Sequence, residues 1–438
     1  MNILVLGNGF DLAHGLPTRY IDFVKFLKYF SFEYNEQEWN TESEFYNKLD
    51  EKVKELISDK NKGKFNPNDD VWKKFKEEVR KNVWVNFFIN KINDINEDDG
   101  WIDCEKEIAE IIKAVDYKIK TVRYKNSRGE IEKKVINKIK DFKAREFIEL
   151  YKIKVDSKGD NYWKGKGHDK FIKNLQNALD GFIWCLKVYL IYIIDKIEVT
   201  SKNRDIVKIS ENIDAVLSFN YTDTYRKIYS DKVKCDFIHG QADENNKDSS
   251  MVLGIDEYLD NINKNKDLDF IYFKKYFQRL YKKTSFQYKI WIENIKAQRK
   301  ELKIAINKLD EMIAIKERLI WQKDGQINLG YYLKEKSDLL LKRKNLVEKI
   351  NEENNIYIFG HSLDVTDKDI LRKLILGYDE EDDKNEGLNY NARVIIFYCS
   401  KEVYMQQITH LVEIIGQEEL IKRTTEPRRS IVFIEQSE

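Results

Sequence analysis

Six short runs rich in Val, Ile and Phe, placed very unevenly, constrain this 438-residue chain more than any other feature. One opens the chain at residues 3–6; the others fall at 215–219, 233–238, 356–359, 393–398 and 431–435. Continuous apolar runs of this length read as strands of a parallel sheet covered on both faces. Several end in a polar or glycine-containing turn, where open α/β sheets hold their ligands.

Between the first and second runs the pattern is helical. "YIDFVKFLKYF", "VWKKFKEEVRKNVWVNFFINKI" and "CEKEIAEIIKAVDYKIKTV" space their apolar residues three and four apart. "HDKFIKNLQNALDGFIWCLKVYLIYIIDKIE" reads as one long helix, while the charged stretch 123–134 reads as a hairpin or loop. A second helical block covers 270–353. Ile295, Leu302 and Leu309 stand at heptad spacing with Ile306, Ile313 and Ile320 between them, interrupted at Arg299 and Lys316. A turn at "KDGQINLG" and a return helix through Leu339, Leu346 and Ile350 complete a hairpin. The expected architecture is α/β. A Rossmann-like, mostly parallel core is built from residues 1–20, 211–269 and 354–438. It carries a helical insertion at 21–210 and a coiled-coil-like helical hairpin at 270–353. The hairpin is read as scaffold or as a surface for self-association.

Composition excludes some classes. The 77 basic residues nearly cancel the 76 acidic ones, so no global field draws the chain to nucleic acid or to an anionic membrane. Cys104, Cys185, Cys235 and Cys399 are scattered without a C-x-x-C pair, which favours reduced thiols in a cytoplasm. No HxH, HxxxH or DxH pair occurs, and no metal is expected. Residues 182–194 are strongly apolar but too short to span a bilayer and include Lys187; they read as a buried helix. No signal-peptide pattern is seen at the N-terminus, so the expected location is cytoplasmic.

The first run leads directly into Gly7-Asn8-Gly9. Glycines permit a tight turn and let a ligand approach backbone N–H groups. The dinucleotide fingerprint G-x-G-x-x-G fails, because Leu12 stands at its third glycine. A strand-to-helix turn without a ligand is the plain alternative. The stretch continues, however, as G-x-G-[apolar]-x-x-x-x-G-[apolar]-P, with Phe10, Asp11, Gly15, Leu16 and Pro17 in place.

That spacing resembles the opening loop of sirtuins and sirtuin-like NAD hydrolases, G-A-G-I-S-x-x-x-G-I-P, with Asp11 where the family usually has Ser. Later patches resemble the same family in the same order. "SFNYTDTY" ends a strand with Asn220, with Thr222 in place of the family's acid and Asp223 one residue on. "FIHG" ends the next strand with His239-Gly240, and "IFGHSLDVTD" resembles the G-x-S loop through Gly360, His361 and Ser362. Over nearly the whole chain, "ILVLGNGFDLAHGLPT", "FNYTDTY", "IHG" and "FGHSLDVTDKDIL" resemble the AbiH-type bacteriophage abortive infection family.

The closer resemblance implies a bacterial antiviral role answering to a phage-derived trigger. The more distant one implies NAD as ligand or substrate. Asn220 would then orient a ribose hydroxyl or the attacking water, and His239 would exchange the proton. Gly7, Asn8 and Gly9 would take the pyrophosphate, and Asp11 a ribose hydroxyl or the His239 ring. His361 or Ser362 would lie by the adenosine ribose, with Phe10, Pro17, Asp223 and Gly360 completing the contact set. Bland readings stand beside these. Asn220 can be a strand-end cap, His239 a turn residue, and His361 and Ser362 the cap of a helix near Asp367. His14 is read as lying on the surface of the glycine loop. A serine-hydrolase reading of "GHSLD" fails, because G-x-S-x-G breaks at Asp364. The competing function is a nucleotide sensor without catalysis.

Overall fold

The computed structural model describes residues 1–33, 40–58, 69–92, 102–125, 166–245, 250–255, 268–322, 329–378, 390, 392–427 and 429–437. Most of the loop expected at 123–134 and of the turn after residue 322 lie outside the described residues.

Each of the six apolar runs forms a strand: β1 (Asn2–Leu6), β2 (Ala215–Ser218), β3 (Lys234–Phe237), β4 (Asn354–Phe359), β5 (Ala392–Tyr398) and β6 (Ile431–Glu435). They make one sheet in the order β3-β2-β1-β4-β5-β6, and every adjacent pair is parallel. This is the doubly wound order, and it reverses direction between β1 and β4. Alternate residues of β1 feed opposite cores. Ile3 and Val5 pack with Ile356, Ile358, Val394 and the helix Lys368–Leu376, while Leu4 and Leu6 pack with Phe10, Val216, Phe359 and Phe397. Cover on both faces is why β1 reads as unbroken apolar sequence rather than as alternation.

The helices between β1 and β2 build a separate core around Phe23, Phe26, Phe75, Trp84, Ile112, Phe182 and Tyr189. The segment Phe171–Lys196 is long and apolar enough to cross a membrane, yet 67% of its most apolar window is buried in the protein. Met251, Leu253, Ile255, Phe270 and Phe273 also belong to this second core. Sequence had assigned residues up to 269 to the α/β core. Of that stretch, Met251, Leu253 and Ile255 lie outside the six strands, and their side chains pack into the helical cluster.

The helices Gln287–Gln322 and Leu329–Asn351 run antiparallel. Arg299 Nη1 donates to Ile350 O at 2.6 Å and Lys316 pairs with Glu335 at 2.6 Å, so the two residues that interrupt the heptad pattern bridge the two helices. Tyr288, Trp291, Ile292 and Ile295 root the longer helix against the sheet.

The turns after β1 and β4 touch backbone to backbone. Gly7 N–H donates to Phe359 O at 3.1 Å and Gly9 N–H to Gly360 O at 2.8 Å. A Cβ on Gly9 would meet Gly360 Cα at 2.8 Å, and one on Gly360, whose φ is +66°, would meet Phe10 N at 2.2 Å. Gly9→Ala and Gly360→Ala are therefore expected to destabilise the protein by about 1–3 kcal/mol each. Gly330, in a helix with nothing within 4 Å of an added Cβ, is the control. Its change to Ala is expected to stabilise by about 0.4–1 kcal/mol. Urea denaturation of the three variants checks this; similar shifts for all three would rule out the backbone contact as the reason for the glycines.

Candidate functional site

All six strands point their C-terminal ends toward one cavity of ≈ 580 Å³, within the ~300–1,000 Å³ usual for ligand sites. The turn after β1 contributes Gly7, Asn8, Gly9 and Asp11; the turn after β2, Asn220; and the turn after β3, His239. β4 delivers Gly360, His361 and Ser362. Apolar cover comes from Leu186 and Leu190 of the helix Lys166–Tyr192 and from Phe219 and Phe397, while Arg19 stands exposed at the wall.

Three residues expected in the contact set lie elsewhere. Phe10 is buried under the sheet, its ring 4.4 Å from that of His14. Pro17 is buried and accepts from Tyr189 Oη through its carbonyl at 2.8 Å. Asp223 takes Arg226 in a two-point pair, with both contacts at 2.7 Å. Two expected roles also change. The N–H groups of Gly7 and Gly9 are already spent on Phe359 and Gly360, so the glycines serve close turn packing rather than a phosphate cradle made of those donors. Asp11 does not hold His239. Its Oδ2 accepts from Thr222 Oγ1 at 2.6 Å, and burial pushes its carboxyl up to about 6 against that bond.

His14 is not on the surface. It is 3% exposed, with Nδ1 donating to Phe10 O at 2.7 Å and Nε2 at 2.8 Å from Tyr229 Oη. Burial lowers the proton affinity of the ring, so with Nδ1–H committed to Phe10 O the Nε2 is left to accept from the Tyr229 hydroxyl, and the ring is neutral and structural. His361 and Ser362 do not cap the following helix. Asp364 does that work for the short turn before it, accepting from Thr366 N–H at 2.9 Å.

Asn220 is immobilised: Nδ2 donates to Gly7 O at 3.0 Å and the backbone N–H donates to Ser218 Oγ at 3.1 Å. His361 Nδ1 accepts from Leu363 N–H at 2.8 Å, which puts its proton on Nε2, and burial lowers its proton affinity. His239 is buried with Nε2 at 3.3 Å from Asp367 Oδ1. A carboxylate can only accept, so Nε2 carries the proton; Nδ1 is buried and has no hydrogen-bond partner among the described residues. Burial brings His239 down to about 4, outweighing the pull of Asp367, so the ring is neutral near pH 7.

Sequence reading missed the charges behind His239. Asp367 also accepts from Arg279 Nη2 at 3.2 Å and lies 3.6 Å from Lys275 Nζ, which pairs with Glu105 at 2.7 Å. Burial alone would raise the Asp367 carboxyl, but Lys275, ahead of His239, holds it well below the usual carboxylate range. Glu105 is pushed up to about 7 by burial, against the attraction of Lys275. Lys275 in turn stays charged despite burial, because Asp367 and Glu105 face it. No local motif marks Glu105 or Lys275, which lie in helices that read as ordinary amphipathic ones; Asp367 falls inside the motif "FGHSLDVTDKDIL", but the sequence marks it only as the start of a helix. Among the described residues, no group of three or more His, Cys, Asp or Glu is placed to hold a metal ion.

The family described as Bacteriophage abortive infection AbiH matches residues 3–384, which take in β1 to β4 and every glycine, amide and imidazole discussed above. The chain belongs to that family. No curated protein and no solved structure matches it.

The buried groups give opposite pH signatures. Glu105 is raised from 4.5 to about 7, so the stability it contributes is complete below pH 4.5 and is lost as pH rises through 7. His239 is lowered from 6.5 to about 4, so its contribution is complete above pH 6.5 and is lost as pH falls through 4. Urea titrations at several pH values check both signs. Between pH 5 and 7, stability is expected to climb more steeply with pH in Glu105→Gln than in the parent. In His239→Gln it is expected to climb less steeply between pH 4 and 6.5. Parallel curves for all three proteins would contradict the burial of these charges.

Proposed function

We propose that this AbiH-family protein binds a nicotinamide dinucleotide at the C-terminal edge of its sheet and hydrolyses the nicotinamide–ribose bond once infection triggers it. One observation carries the reading: Asn220 and His239, from different strands, line a single cavity together with the turn after β1. The doubly wound strand order supports it, since such sheets bind dinucleotides where the order reverses.

Cleavage of this bond passes through an oxocarbenium-like state. The departing nicotinamide is cationic in the dinucleotide and needs no acid. The site must instead orient the ribose, restrict water and provide a base. Asn220, locked by its bond to Gly7 O, is suited to hold a ribose hydroxyl without titrating. His239 lines the same cavity and its ring is neutral near pH 7, the state in which an imidazole can take up the proton of an attacking water. Arg19 brings positive charge toward the phosphates, and Leu186, Leu190 and Phe219 offer an apolar wall for a flat ring. On this reading the helical blocks answer a phage-derived trigger or a second copy of the chain, in a bacterial cytoplasm.

A second reading, a nucleotide sensor without catalysis, rests on Asp11 and Thr222. Both depart from the enzymatic pattern and are bonded to each other. Incubating purified protein with NAD, with and without phage lysate, separates the two. Hydrolysis predicts nicotinamide release that falls by about 10²–10⁴-fold in His239→Gln with its fold intact. NAD binding by calorimetry without release under either condition would replace the enzyme with the sensor. Neither binding nor release would remove both readings.

A further inference from the structure

We propose that Asp367 is a positioning residue for His239, and that Lys275 and Arg279 hold Asp367 in place, so that docking of the helix Lys275–Tyr281 assembles the base. The catalytic consequence rests on the hydrolysis proposed above; the geometry does not depend on it.

A single atom, Asp367 Oδ1, lies within reach of three groups: His239 Nε2 at 3.3 Å, Arg279 Nη2 at 3.2 Å and Lys275 Nζ at 3.6 Å. Both cations come from the same helix at positions four apart, and so from one face. All four side chains are almost fully buried. In such a setting, removing one partner leaves an uncompensated buried charge, so each member depends on the others being in place. The carboxylate fixes which ring nitrogen carries the proton and the direction in which the other points. This is the orienting role that a buried acid plays toward an imidazole base.

The helix that supplies the cations is clamped at its middle and tied at both ends. Gln278, fully buried, donates to Leu253 O at 2.9 Å and Tyr272 O at 3.0 Å and accepts Leu253 N–H at 3.1 Å. Lys275 reaches Glu105 in the first helical block at 2.7 Å and Thr366 Oγ1 at 3.3 Å. Only residues 282–286 separate the end of this helix from the long hairpin helix, which begins at Gln287. Lys275–Tyr281 thus joins the two helical blocks to the carboxylate behind His239. The groups facing His239 are Asp367, Lys275 and Arg279, with Glu105 one contact beyond; His361 lies across the Phe219 ring, whose centroid is 5.5 Å from His239 and 4.3 Å from His361.

The test is an NMR titration of the full chain carrying ¹³C,¹⁵N-labelled histidine, with His239→Gln assigning the resonance. Lys275→Met is expected to raise the His239 midpoint by about one unit, because a facing cation is lost. Lys275→Arg is expected to leave it within about 0.3 unit. Asp367→Asn is expected to lower the midpoint and to shift the ¹⁵N signals toward the other tautomer. If NAD is hydrolysed, Asp367→Asn is further expected to reduce kcat by about 10²-fold or more with KM little changed. Should Lys275→Met lose its near-UV circular dichroism, Asp367→Asn and Arg279→Lys carry the measurement. A His239 midpoint and tautomer unmoved in every folded variant of Asp367 and Lys275 would overturn the proposal. The readout needs no nucleotide. Absence of NAD binding with the midpoint shifts intact would remove the hydrolysis and leave the positioning role; hydrolysis with an indifferent midpoint would do the reverse.

Discussion

The structure depends on the contact between two glycine turns. Strand order reverses between β1 and β4, and there the turns that follow them meet with no side chain between. Gly9 N–H bonded to Gly360 O sets the distance between the two turns, and the positive φ of Gly360 sets the direction in which His361 and Ser362 leave the sheet. Asn220 then closes the third side by donating to Gly7 O. A cavity wall built from backbone contacts of this kind cannot be widened by changing a rotamer, so the residues that leave these turns are held in fixed directions.

Behind that wall sits an arrangement that works against stability. Glu105, Lys275, Asp367 and Arg279 balance in formal charge, but removing such groups from water is costly, and well-packed apolar residues often do better. A balanced buried cluster does something apolar packing cannot: it fixes the ionisation of Asp367 and, through it, the tautomer of His239. Glu105 belongs to the first helical block, and Lys275 and Arg279 to the segment before the hairpin. The helical blocks therefore furnish part of the polar wall of the cavity as well as its apolar cover.

Much of the sheet was legible because burial on both faces leaves a direct trace: the inner strands β1, β2, β4 and β5 are rich in Val, Ile, Leu and Phe and end at turn residues, whereas the edge strand β3 reads Lys-Cys-Asp-Phe and is only partly buried. The run at 431–435 matches β6 residue for residue, and the others differ only at their ends, where fraying and pairing set the limit. Asn220, His239 and Gly360 were legible as cavity-lining positions for a related reason, since each lies within two residues of a strand end and strand ends share one edge of a parallel sheet. Phe10, Pro17 and Asp223 were misplaced because adjacency in sequence to a cavity residue says nothing of which way the side chain turns. Phe10 faces away from the cavity into the core beneath the sheet, and Asp223 finds Arg226 three residues on.

Sequence alone determined the strands, the helical blocks between them and the turns at which chemistry could collect, because these follow from local periodicity and from glycines that tolerate no side chain. Only the tertiary structure decided that the glycine N–H groups are spent within the protein, that His14 is a buried prop, and that Asp367 rather than Asp11 stands behind His239. Those outcomes turn on burial and on pairings between residues from distant stretches of chain. The desolvation that decides whether a carboxylate or imidazole is charged does not exist until the chain has closed around it.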